Sequence, residues 1–120
     1  MSATMTNVYW VLGRTAYHSY DDFVAAVTDY NQKIAPLKSK WSPNQEVAEG
    51  SINVVFEALW KDEDDSINVE IGEPDQPLTM GRLLFTLNNA TVDFFKDSDQ
   101  RFFEGLAWVG GTEYELFVGS

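Results

Sequence analysis

Between residues 62 and 75 the chain carries Asp62, Glu63, Asp64, Asp65, Glu70, Glu73 and Asp75, with no Lys or Arg among them. Carboxylates at this density can hold a hard cation, act as an acid–base pair, or meet the cations of another macromolecule. The cation reading is specific enough to test on spacing. Asp62, Asp64, Ser66, Glu70 and Glu73 fall on positions one, three, five, nine and twelve of an EF-hand loop. Position six is then Ile67, where the sharp turn requires glycine. The flanking segments alternate like strands instead of repeating like helices, so an EF-hand is not expected. The chain has 19 acidic residues, and no two of them stand out as a glycosidase-type pair.

Other chemistry is poorly supplied. The single histidine, His18, adjoins Ser19, and sequence neighbours do not converge as a nucleophile and its base must. One histidine and no cysteine cannot furnish a zinc site. Gly110 and Gly111 precede neither a lysine nor a helix, so they read as a turn and not as a phosphate cradle. The sequence therefore points to no enzyme, no metal and no cofactor. What remains is a negative surface.

Composition sets the scale. The chain has 120 residues, a formal net charge of -11, 44% hydrophobic residues and 14% aromatics. That is one domain, 1–120, with enough apolar material to build a core, unlike an acidic disordered tail. The charge disfavours direct binding to nucleic acid or anionic lipid and favours a basic protein. The first residues lack a signal-peptide pattern and no apolar run is long enough to span a bilayer, so a soluble cytoplasmic protein is the expectation.

The elements that position the carboxylates follow from periodicity. Residues 8–12 form a β-branched and aromatic run and read as a first strand. Ser19 caps a helix whose apolar stripe is Phe23, Val27, Tyr30 and Ile34, ended by Pro36. Lys33, Lys38 and Lys40 follow as the basic cluster of the chain. A short strand is expected near residues 45–49. Residues 52–60 and 67–71 alternate with a period of two and form a hairpin. Ile52, Val54, Phe56 and Trp60 face inward on it, while Glu57, Asn68 and Glu70 face outward. Thr79 caps a second helix carrying Leu83, Leu84 and Leu87, which closes at Asn88 and Asn89 or runs on to Phe95. Residues 102–109 and 112–118 flank the Gly110–Gly111 turn as a last hairpin. Trp41, Trp60, Trp108 and Phe117 are candidates for a ligand pocket or an interface anchor; most of them are expected in the core, with Phe117, which shares a face with Glu113 and Glu115, as the exception. The resulting fold is α+β: a two-layer domain with an antiparallel or mixed sheet and two helices packed on one face.

The C-terminal third also resembles a known group. Leu78-Thr79-Met80-Gly81-Arg82-Leu83-Leu84, then Asp99-Gln100-Arg101-Phe102-Phe103-Glu104-Gly105-Leu106, then Tyr114-Glu115-Leu116-Phe117-Val118-Gly119-Ser120, resemble bacterial immunity proteins. These are the small proteins encoded beside polymorphic or contact-dependent growth-inhibition toxins. The resemblance implies a protein without catalysis of its own, which binds a cognate toxin domain in the cytoplasm and blocks its active site or substrate groove. It also implies the partner class, a basic domain and often a nuclease. It carries no individual binding residues, so the candidate partner-binding residues come from charge placement: Glu57, Asp62, Glu63, Asp64, Asp65, Glu70 and Glu73. Two other readings share the composition. One is a phage-type acidic nucleic-acid mimic and the other a small-molecule-binding α+β domain, which needs a pocket of ~300–1,000 Å³. The sequence leaves monomer and dimer both open.

Overall fold

A computed structural model describes residues 3–57, 66–96 and 101–119. Seven strands and two helices follow one another as β1 (Ala3–Thr4), α1 (Tyr20–Ile34), β2 (Glu46–Ala48), β3 (Ile52–Glu57), β4 (Ser66–Ile71), β5 (Leu78–Thr79), α2 (Met80–Phe95), β6 (Phe102–Gly110) and β7 (Glu113–Gly119). The main sheet has the order β1-β6-β7-β3-β4, and β2 pairs with β5 in a separate two-stranded sheet. Neighbours in the main sheet run antiparallel except β3 and β7, which are parallel. The sheet is thus mixed, and the fold is α+β as the periodicities require.

The two helices start where their caps allow. The Ser19 hydroxyl accepts the Asp22 amide, and Asp21 and Asp22 complement the positive helix end. The Thr79 hydroxyl accepts the Arg82 amide. Of the two ends weighed for α2, Phe95 is the observed one, so Asn88 and Asn89 lie inside the helix. Ile52, Val54, Ile71, Leu106 and Leu116 from the sheet share one buried core with Phe23, Val27, Leu83, Leu84, Leu87 and Phe95 from the helices. Ring contacts stitch the layers: Phe56 lies 5.4 Å from Phe95, and Trp10 lies 5.3 Å from Phe23.

Two expectations are corrected. Residues 8–12 are not a strand of the sheet. They run extended and join it through a single bridge, Val11 to Phe102, with Phe103 donating to the Trp10 carbonyl and Leu12 to the Arg101 carbonyl. The Tyr9 N–H and C=O are held by the side chain of Asn31 on α1. The first strand is instead β1, only two residues long. On α1, Ile34 is 56% exposed while Asn31 is only 2% exposed, so the buried stripe continues through a polar residue. Asn31 can be buried because all four of its hydrogen-bonding capacities are used: it accepts from the Tyr9 amide and the Ser39 hydroxyl, and donates to the Tyr9 and Val27 carbonyls.

The expected short strand near 45–49 is β2. The strand predicted over 52–60 is described as far as Glu57, and Trp60 lies outside the described residues. Trp108 is exposed, not core, and its indole donates to the Gly111 carbonyl across the turn.

Candidate protein-binding surface

The face of the main sheet turned away from the helices is built by strand alternation. On β4, Ile67 and Ile71 point into the core, which sends Ser66, Asn68 and Glu70 to the opposite side. On β3, the inward set Ile52, Val54 and Phe56 leaves Asn53 and Val55 on that side. On β7, Leu116 is buried while Glu113, Glu115 and Phe117 are exposed.

Register then brings these residues into rows. Asn53 pairs with Glu70 on one neighbour and Glu113 on the other, giving the row Glu113, Asn53, Glu70. Val55 pairs with Asn68 and Glu115, giving a second row that continues to Ala107 on β6. Glu57 ends β3 opposite Ser66. Strands lie ~4.8 Å apart, so Glu70 and Glu113 are separated at the backbone by about 10 Å, two strand spacings. That is about one Debye length at 0.1 M salt, close enough for their fields to add.

The strands of this face carry no described cation. Among the described residues, Arg14, Lys33, Lys38, Lys40, Arg82, Lys96 and Arg101 all lie on helices or connections, and none is on a strand of the main sheet. The ion pair formed among the described residues is Lys33 to Asp29 within α1, at 2.9 Å. Phe117 adds an exposed ring beside the carboxylates. It pairs across the ladder with Gly105, which has no side chain to shield it.

Of the expected binding residues, Glu70 lies on this face, and Glu57 is described by its backbone alone, at the end of β3. Glu73 is exposed but lies past Gly72, in the turn where Gln76 donates to its carbonyl, and so is not part of the rows. Asp62, Glu63, Asp64 and Asp65 lie outside the described residues. Glu113 and Glu115 are the additions. Their alternation with Tyr114 and Leu116 was readable, but their meeting with β3 depends on a parallel pairing between distant segments.

The alternatives for chemistry meet specific obstacles. β4 occupies what would be positions five to ten of the EF-hand loop, so that stretch is extended and hydrogen-bonded to β3. The Ser19 hydroxyl is committed to the α1 cap and His18 is exposed beside it. One cleft among the described residues, lined by Thr28, Asn31, Gln32, Pro36 and Trp41, has a volume of about 180 Å³, and that cleft by itself is smaller than the ~300–1,000 Å³ usual for a small-molecule site.

Comparison of the chain with profiles of known protein families, with curated proteins and with solved structures gives no match.

Proposed function

We propose that this chain is an immunity-type inhibitor that binds a basic toxin domain and covers its active site or substrate groove. The observation that carries the reading is the open sheet face, where Glu70, Glu113 and Glu115 stand exposed with no described cation among them. The sequence adds Asp62, Glu63, Asp64 and Asp65 between β3 and β4. Such a surface attracts Lys and Arg side chains that otherwise hold phosphate, and forms charge-assisted bonds with them. Attraction at long range also speeds capture, to ~10⁸–10⁹ M⁻¹s⁻¹ at low salt in favourable systems. Phe117 supplies the apolar anchor that affinity requires in addition to charge. The resemblance of the C-terminal third to immunity proteins agrees with this partner class.

The test is co-purification with the product of the neighbouring gene, followed by a nuclease assay and stopped-flow association. Glu70→Lys, Glu113→Lys and Glu115→Lys together are expected to leave the circular dichroism unchanged. They should slow association about 10- to 100-fold at low salt. An association rate and salt dependence equal to those of the parent protein would overturn the reading.

A further inference from the structure

The direction of every backbone group on β4 can be worked out from one hydrogen bond. The Asn53 amide donates to the Thr112 carbonyl at 2.8 Å, so Asn53 turns its backbone toward β7. Backbone groups alternate sides along a strand, so Ile52, Val54 and Phe56 turn theirs toward β4. Their partners are Ile71, Val69 and Ile67, which form the doubly hydrogen-bonded pairs of the ladder. Ser66, Asn68 and Glu70 therefore turn their amides and carbonyls to the outer edge of the sheet. Among the described residues, none donates to or accepts from these groups.

Among the described residues, nothing covers this edge. Natural sheets blunt their edges with very short strands, with charged side chains and Lys above all, with Pro, or with bulges. β4 has six residues, carries Glu70 as its one charged side chain but neither Lys nor Pro, and pairs with β3 without a register shift from Ile52–Ile71 to Glu57–Ser66.

We infer that β4 is an acceptor edge on which an extended segment of a partner adds a further strand, with cationic and apolar side chains in alternation. The alternation is dictated from both faces. Side chains of the added strand on the open face would lie beside Glu70, and those on the other face beside Ile67, Val69 and Ile71, against which α2 packs. Charge selects the occupant. A second copy carries the same net charge of -11 and would place two acidic faces side by side, whereas a Lys-bearing strand neutralises the row. The inference rests on the proposed function for the partner's positive charge alone, and adds how that partner is held.

The experiment uses the full chain and a synthetic peptide of alternating lysine and valine, read by amide hydrogen exchange in NMR. At a peptide concentration ten times its Kd, exchange at Ser66, Asn68 and Glu70 is expected to slow about tenfold. Asn68→Pro removes one outward donor and leaves the ladder to β3 intact, because proline is tolerated on an edge when its missing amide faces out. It should abolish the protection. A peptide of the same charge, N-methylated at alternate residues, should bind without protecting β4, and this arm does not depend on how the proline variant folds. Absence of binding, or protection that survives both changes, overturns the inference. Protection of the same amides on raising protein concentration without peptide counts against it, in favour of a second copy. The functional reading is tested apart: if Glu113→Lys and Glu115→Lys abolish binding of the toxin domain while Asn68→Pro does not, the acidic face stands and the acceptor edge falls.

Discussion

The side-chain amide of Asn31 brackets the backbone of Tyr9, accepting its N–H at 2.9 Å and donating to its C=O at 2.8 Å. It does for one residue what a neighbouring strand does for many. Asn89 repeats the arrangement on Tyr17, at 3.0 and 2.8 Å, and Asn88 accepts the Trp10 indole while donating to the Thr15 carbonyl. Three asparagines on two helices thus secure the segment between β1 and α1.

Asn31→Ala removes partners from the Tyr9 amide and carbonyl and leaves a cavity. The expected cost is about 2–4 kcal/mol, read as a lower urea midpoint. Asn31→Asp keeps the acceptor oxygens but sets a charge against the Tyr9 and Val27 carbonyls, so it should be no better tolerated.

Gly13 has φ +79°, and a Cβ there would stand 2.5 Å from the Phe95 carbonyl carbon. Gly111, at φ +54°, has nothing within 4 Å of such a Cβ. Gly111→Ala should therefore cost about 1–2 kcal/mol, from conformation alone. Gly13→Ala should cost more, because backbone as well as φ must yield. Thermal melts of the two variants side by side check the order.

The corrected helix stripe makes a paired prediction. Val27 is fully buried, and Val27→Ala should cost about 2 kcal/mol. Ile34 is largely exposed, and Ile34→Ala should stay within about 0.5 kcal/mol of the parent. Equal losses at the two sites would show that Ile34 is packed in solution.

Asp62→Lys, Asp64→Lys and Asp65→Lys together reverse charge in the segment of sequence between β3 and β4. Partner association should slow, and its salt dependence should flatten, since fewer long-range attractions remain to be screened. Unchanged kinetics at 20 and 200 mM salt would confine the binding face to the strands. These are working concentrations of about those values, chosen to bracket the Debye length of ~10 Å at 0.1 M.

Where structure depends on local pattern, it was legible in the sequence. The β3–β4 hairpin followed from a period of two, the helix starts from Ser19 and Thr79, and the last hairpin from Gly110 and Gly111. The segment 8–12 was not, because its strand-like composition does not say what it pairs with; its partners are one bridge to β6 and single side chains from far along the chain. Asn31 broke the apolar stripe for the same reason, since no local signal says that a polar group will find four partners. Half the candidate surface shared this fate. Glu70 faced outward by alternation, whereas Glu113 and Glu115 join it only through the parallel β3–β7 pairing.

That pairing has a consequence for assembly. β7 lies between β6 and β3, and it is the strand nearest the C-terminus. Until it is synthesised, the β3–β4 hairpin has no route to β6, and neither portion can complete the sheet. Closing such distant contacts is slow compared with forming local ones. Completion of the sheet therefore waits on β7, the one strand that joins the β3–β4 hairpin to β6.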